Sequence, residues 1–202
     1  MKSIKKPFLT TAQLTLLALA AVINLIGGAI ALFLHLPIYL DTIGTMLAAT
    51  FLGPVYGMIP GLLSGLISGF TSDVYALYYI PVQLITGFGA GIVLRSSKLK
   101  GGLKIPAAAL ISIPGTIVSS SITALLFGGV TSSGSTILVQ LLHGMGMNLT
   151  ASVCVVQAAT DYADRLIALL LTLAVLAAIP ASLKSSLTKG YRTHEPLQHN
   201  HQ

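Results

Sequence analysis

The chain has little charge. Only 8% of its 202 residues are Asp, Glu, Lys or Arg, whereas a water-soluble domain carries about 25%. Hydrophobic residues make up 54% and the mean hydropathy is +0.87, so lipid rather than water must face much of its surface. Tryptophan is absent and cysteine occurs once, at Cys154. That count excludes an internal disulfide and a cysteine-based zinc site, and within its apolar run Cys154 reads as a small buried hydrophobe. The motifs G-x-S-x-G, H-E-x-x-H and G-x-x-x-x-G-K-[ST] are missing, as is a strand-linked G-x-G-x-x-G. No hydrolase elbow, zinc protease site or phosphate loop is therefore expected, no cofactor is implied, and the chain reads as a non-enzyme.

What is present is a series of continuous apolar runs such as Leu166 to Ile179, which lack the alternation of a membrane β-barrel. The expected fold is an all-α integral membrane protein, a six-helix transmembrane bundle. Its spans are Ala12 to Leu34, Ile38 to Leu52, Val55 to Phe70, Ala76 to Leu94, Ile105 to Phe127 and Tyr162 to Leu183. The first is too long for a signal-peptide core and reads as a retained helix. The second and third fall short of the roughly 20 residues a crossing needs, and Gly53-Pro54 breaks the chain between them. Pro60, Pro81 and Pro114 should kink their spans. Between the fifth and sixth spans, Gly128 to Asp161 carries two short apolar stretches, Thr136 to Met145 and Leu149 to Ala159, expected as short helices over the outer mouth.

Basic residues fall in three clusters: Lys2, Lys5 and Lys6; Arg95, Lys98, Lys100 and Lys104; Lys184, Lys189 and Arg192. With six spans all three share one side, which the positive-inside rule makes cytoplasmic. Residues 1–11 are then a cytoplasmic N-terminus, 12–184 the transmembrane domain and 185–202 a cytoplasmic, disordered tail. Its His194, His199 and His201 read as solvated rather than metal-binding. The net charge of +6 reflects this topology and contact with anionic membrane lipid; nucleic acid is not an expected partner.

Gly57, Gly61, Gly65 and Gly69 recur at every fourth position of the third span. Such a face lets helices approach closely, either inside the bundle or as a docking face for another subunit. Polar residues gather in the outer half, giving Asp41, Tyr75, Tyr78, Tyr79, Gln83, His143, Asn148, Asp161 and Arg165 as candidate substrate-binding residues. Each has a structural alternative. The tyrosines suit an interfacial belt, Asp161 a helix start, and Asp161 with Arg165 an i, i+4 ion pair. Asp41 abuts the apolar run Ile43 to Leu52, where an ionised group needs a wet cavity or a partner.

The segments Leu36-Pro37-Ile38-Tyr39-Leu40-Asp41-Thr42-Ile43-Gly44-Thr45, Leu52-Gly53-Pro54-Val55-Tyr56-Gly57 and Tyr75-Ala76-Leu77-Tyr78-Tyr79-Ile80-Pro81-Val82 resemble the vitamin-type substrate-binding (S) components of bacterial energy-coupling factor (ECF) importers. That resemblance implies a membrane coupling subunit and two cytoplasmic ATPases as partners, a vitamin-sized organic substrate and a bacterial cell membrane. Metal-importing relatives begin with Met-His, whereas Lys2 follows Met1 here, so nickel or cobalt is not the expected cargo. The acidic mouth and tyrosines suit an aromatic, amine-bearing molecule such as a vitamin B6 form. The alternatives are a membrane sensory or scaffold module and a solitary facilitator without ATPases.

Overall fold

Every regular element among the described residues is a helix, as continuous apolar runs require. The computed structural model describes residues 9–95 and 104–188. The cluster Lys2, Lys5 and Lys6, together with Lys98, Lys100, Lys189, Arg192 and the three tail histidines, lies outside them.

α1 (Thr11–Phe33) opens on a capping box, in which Thr10 Oγ1 accepts from the Gln13 N–H at 3.3 Å and Gln13 Oε1 accepts from the Thr10 N–H at 2.9 Å. It is followed by α2 (Ile43–Leu52), α3 (Pro54–Thr71), the one-turn α4 (Tyr75–Tyr78) and α5 (Ile80–Arg95). Then come α6 (Lys104–Leu125), α7 (Ser135–Gly144), α8 (Leu149–Ala178) and α9 (Ala181–Thr188). Within the described residues, α1 and α6 are each long and apolar enough to cross a bilayer, and α8 with α9, bent by 112°, forms a third candidate.

The break between α2 and α3 is set by Gly53, whose φ of 85° and ψ of −174° belong to a region only glycine occupies readily. Pro54 then takes the first helical position, where its missing N–H costs nothing. The ten-residue α2 is buried along nearly its whole length and touches α1, α3, α5, α8 and α9. Two ends can be distinguished by what meets there. At one, Gln13 Nε2 donates to the Leu187 carbonyl at 2.9 Å, tying α1 to α9, and Gly91 packs on Gly53 and Pro54. At the other, the connections 34–42, 72–79 and 126–134 gather, with the Gly134 N–H donating to the Leu36 carbonyl at 3.2 Å.

The glycine stripe of α3 is occupied from within the chain. Gly57 lies against Ala49 and Gly87, Gly61 against Gln83 and Thr45, Gly65 against Ile80 and Gly69 against Leu77. Of the two roles open to this face, packing inside the bundle is the one that the contacts of Gly57, Gly61, Gly65 and Gly69 support. A methyl group at Gly65 would come 2.9 Å from Ile80 Cγ1, while one at Gly89 meets nothing within 4 Å. Gly65→Ala is accordingly expected to cost about 1 kcal/mol through crowding. Gly89→Ala is expected to be neutral or mildly stabilising. Equal thermal midpoints for the two variants in lipid nanodiscs would contradict this account of the stripe.

Other expectations need correction. The segment Leu149 to Ala159 is not a separate short helix but the opening of α8, which runs unbroken past Asp161, Asp164 and Arg165. The last apolar segment stops at Ala178 rather than Leu183, because Pro180 cannot continue the helix and Ile179 before it is extended, at φ −70° and ψ 130°. Pro81 does not kink a span from Ala76 to Leu94. It sits at the second position of α5, just after the chain leaves helical geometry at Tyr79. Pro60 and Pro114 do lie inside helices. Cys154 is exposed on α8, not buried.

Candidate functional site

The site is built around the start of α2. Asn24, fully buried in the middle of α1, accepts from the Gly44 N–H at 2.8 Å and the Thr45 N–H at 3.3 Å, and donates to Thr45 Oγ1 at 2.8 Å. It satisfies backbone donors that a helix N-terminus leaves open, and it does so from a neighbouring helix. Because α2 is thereby pinned beside mid-α1, the connection 34–42 has to fold back along α1. Two non-glycine residues in it, His35 and Leu40, take positive φ of 50° and 53°, a conformation that costs roughly 1–2 kcal/mol each.

Asp164 of α8 offsets that strain. Its Oδ1 accepts from the backbone N–H groups of Tyr39 at 3.1 Å and Leu40 at 2.7 Å, and its Oδ2 from Thr42 Oγ1 at 3.3 Å and from the Arg165 guanidinium. Hydrogen bonds to an ionised acceptor are roughly twice as strong as neutral ones. The result holds Tyr39 and Asp41 on one wall of a cavity of about 340 Å³.

This cavity lies between α1, α3 and the gathered connections. Asn24 and Ser64 sit deepest along their helices, Tyr39, Tyr75 and Tyr79 supply aromatic surface, and Asp73, Ser132 and Ser133 come from the connections. Asp73 Oδ1 accepts from the Tyr75 N–H at 3.1 Å and its Oδ2 from Ser132 Oγ at 2.6 Å, joining the connections that follow α3 and α6. Gln83 Nε2 donates to Asp41 Oδ2. Gln83 Oε1 is buried with no hydrogen-bond partner among the described residues.

Of the nine residues expected to bind substrate, Asp41, Tyr75, Tyr79 and Gln83 line the cavity. The other five do not. Tyr78 is half-exposed and meets the Phe127 ring edge-on at 5.1 Å. His143 is exposed at the end of α7, its Nδ1 2.9 Å from the Met147 carbonyl. Asn148 caps α8, accepting from the Thr150 N–H at 2.9 Å. Asp161 and Arg165 lie buried in the interior of α8, so a helix-start role does not apply to Asp161. Their expected mutual pair is replaced by two others: Asp161 accepts from Ser119 Oγ at 2.7 Å and Arg165 bonds to Asp164. Asn24, Tyr39 and Ser64 were not among the expected contacts. For Asn24 a signal exists, since an amide in the middle of a lipid-length apolar run is costly unless it has a partner.

The chain shows no detectable match to a family model, to a curated protein or to a solved structure.

Proposed function

We propose that this chain is the substrate-binding component of an ECF-type importer, capturing a vitamin-sized organic molecule from outside and delivering it inward with a membrane coupling subunit and two ATPases. The cavity carries the reading. Its volume of about 340 Å³ falls in the range of small-molecule pockets, roughly 300–1,000 Å³. It combines aromatic and polar lining residues, and it lies toward the end where the connections gather, away from the α1–α9 contact.

In this reading α1, α2, α3, α5, α6 and α8 are six crossings, with both termini cytoplasmic and Arg95 and Lys184 on the inner side. The short α2 completes its crossing through the folded-back 34–42 connection. Irregular backbone is tolerated at membrane depth where it is buried in protein or lines a cavity, and Asp164 satisfies two of its N–H groups. A vitamin B6 form is one substrate of suitable size.

The test is reconstitution into liposomes with and without a coupling subunit and ATPases, followed by uptake of radiolabelled water-soluble vitamins. ATP-dependent accumulation of a vitamin that the chain alone binds but does not concentrate is the expected result. Equal accumulation without the ATPases, or none with them, would overturn the proposal.

A further inference from the structure

We infer that the ligand of this cavity is an organic cation whose positive nitrogen sits against Asp41, an inference that rests on the cavity being a solute site as proposed above. Around the cavity and the neighbouring interior of α8 stand four carboxylates, Asp41, Asp73, Asp161 and Asp164, and one guanidinium, that of Arg165. Their hydrogen bonding is unequal. Asp164, fully buried, receives two backbone N–H groups, the Thr42 hydroxyl and Arg165. Asp161, 2% exposed, receives Ser119 and lies one helical turn from Arg165. Asp73 lines the cavity and receives the Tyr75 N–H and the Ser132 hydroxyl, whereas Asp41, which lines it as well and is partly exposed, receives one side-chain donor among the described residues, the neutral Gln83 amide. Gln83 is itself 6% exposed, and its Oε1 has no hydrogen-bond partner among the described residues.

This arrangement offers acceptors and lacks charge-bearing donors. No Lys, Arg or His stands among the described lining residues, whereas Asp41 and Asp73 both do. An anionic ligand would meet two carboxylates and no cation. A neutral one would leave Asp41 desolvated against a single amide, at a cost that a charged partner removes. A protonated amine or a quaternary nitrogen satisfies Asp41, and the cavity that would hold it is also lined by Tyr39, Tyr75 and Tyr79. Arg165 also stands near Asp41, but its guanidinium bonds to Asp164 and it does not line the cavity.

The experiment uses the full chain in lipid nanodiscs near neutral pH. Binding is measured for matched cation and neutral pairs: pyridoxamine with pyridoxine, choline with 3,3-dimethylbutanol, and N-methylnicotinamide cation with nicotinamide. Biotin and pantothenate serve as anions. The tightest binder is expected to be a cation, preferred over its neutral partner by about tenfold or more, as for a hydrogen bond to a charged group. Asp41→Asn is expected to abolish that preference. In parallel, any small molecule co-purified with the unaltered protein is identified by mass spectrometry and is expected to bear a positive nitrogen, a readout that survives if the variant fails to fold. A neutral or anionic tightest binder or co-purified molecule, or a preference that persists in Asp41→Asn, overturns the cation inference alone. No binding by any compound, with nothing co-purified, overturns the solute site as well.

Discussion

Asp164→Ala is expected to lower stability by about 3–5 kcal/mol, the range for breaking a buried ion pair from one side. The loss is large because Asp164 serves four donors at once, and alanine leaves the Arg165 charge and the Tyr39 and Leu40 N–H groups without it. Arg165→Met should cost less, since Asp164 then keeps its two backbone donors and Thr42. Thermal or denaturant unfolding in nanodiscs measures both. If Arg165→Met proved the more damaging, Asp164 would not be the pin that holds the 34–42 connection. Ligand affinity should also fall in Asp164→Ala, because Tyr39 and Asp41 flank the freed backbone on the cavity wall.

Asn24→Ala ranks second, with an expected loss of about 2–3 kcal/mol from leaving buried donors unpaired. The side chain gives its oxygen to two N–H groups of α2 and its amide to Thr45. Thr45→Val removes one hydroxyl and is expected to cost only about 1 kcal/mol. A comparable loss in the two variants would mean that Asn24 does not hold the start of α2.

The legible parts of the fold are those governed by local rules. The apolar run Ala12 to Leu34 became Thr11–Phe33, the break at Gly53-Pro54 was found where it was expected, and Thr136 to Met145 became the short helix Ser135–Gly144. What could not be read was polarity neutralised from far away in the chain. Asp161 reads as a helix start, and Arg165 as its i, i+4 partner, because nothing near them in sequence would accompany them or Asp164 into a helix interior. Their companions are Ser119 and the backbone of Tyr39 and Leu40, the latter more than a hundred residues distant. The site followed the same division. Asp41, Tyr75, Tyr79 and Gln83 were visible as polar or aromatic residues beside apolar runs and do line the cavity. Tyr75, Tyr78 and Tyr79 all meet Phe127, yet Tyr78 is half-exposed and does not line the cavity, a distinction made by the single turn of α4 and invisible to composition.

The outward position of Cys154 has a practical side. Because it is the chain's one thiol and stands exposed on α8, a maleimide spin label or fluorophore attaches at a single known address with no residue removed. The unaltered protein therefore carries its own reporter. Quenching of that probe by brominated acyl chains gives the immersion depth of α8, and dipolar distances between labels on neighbouring molecules give the number of copies that travel together.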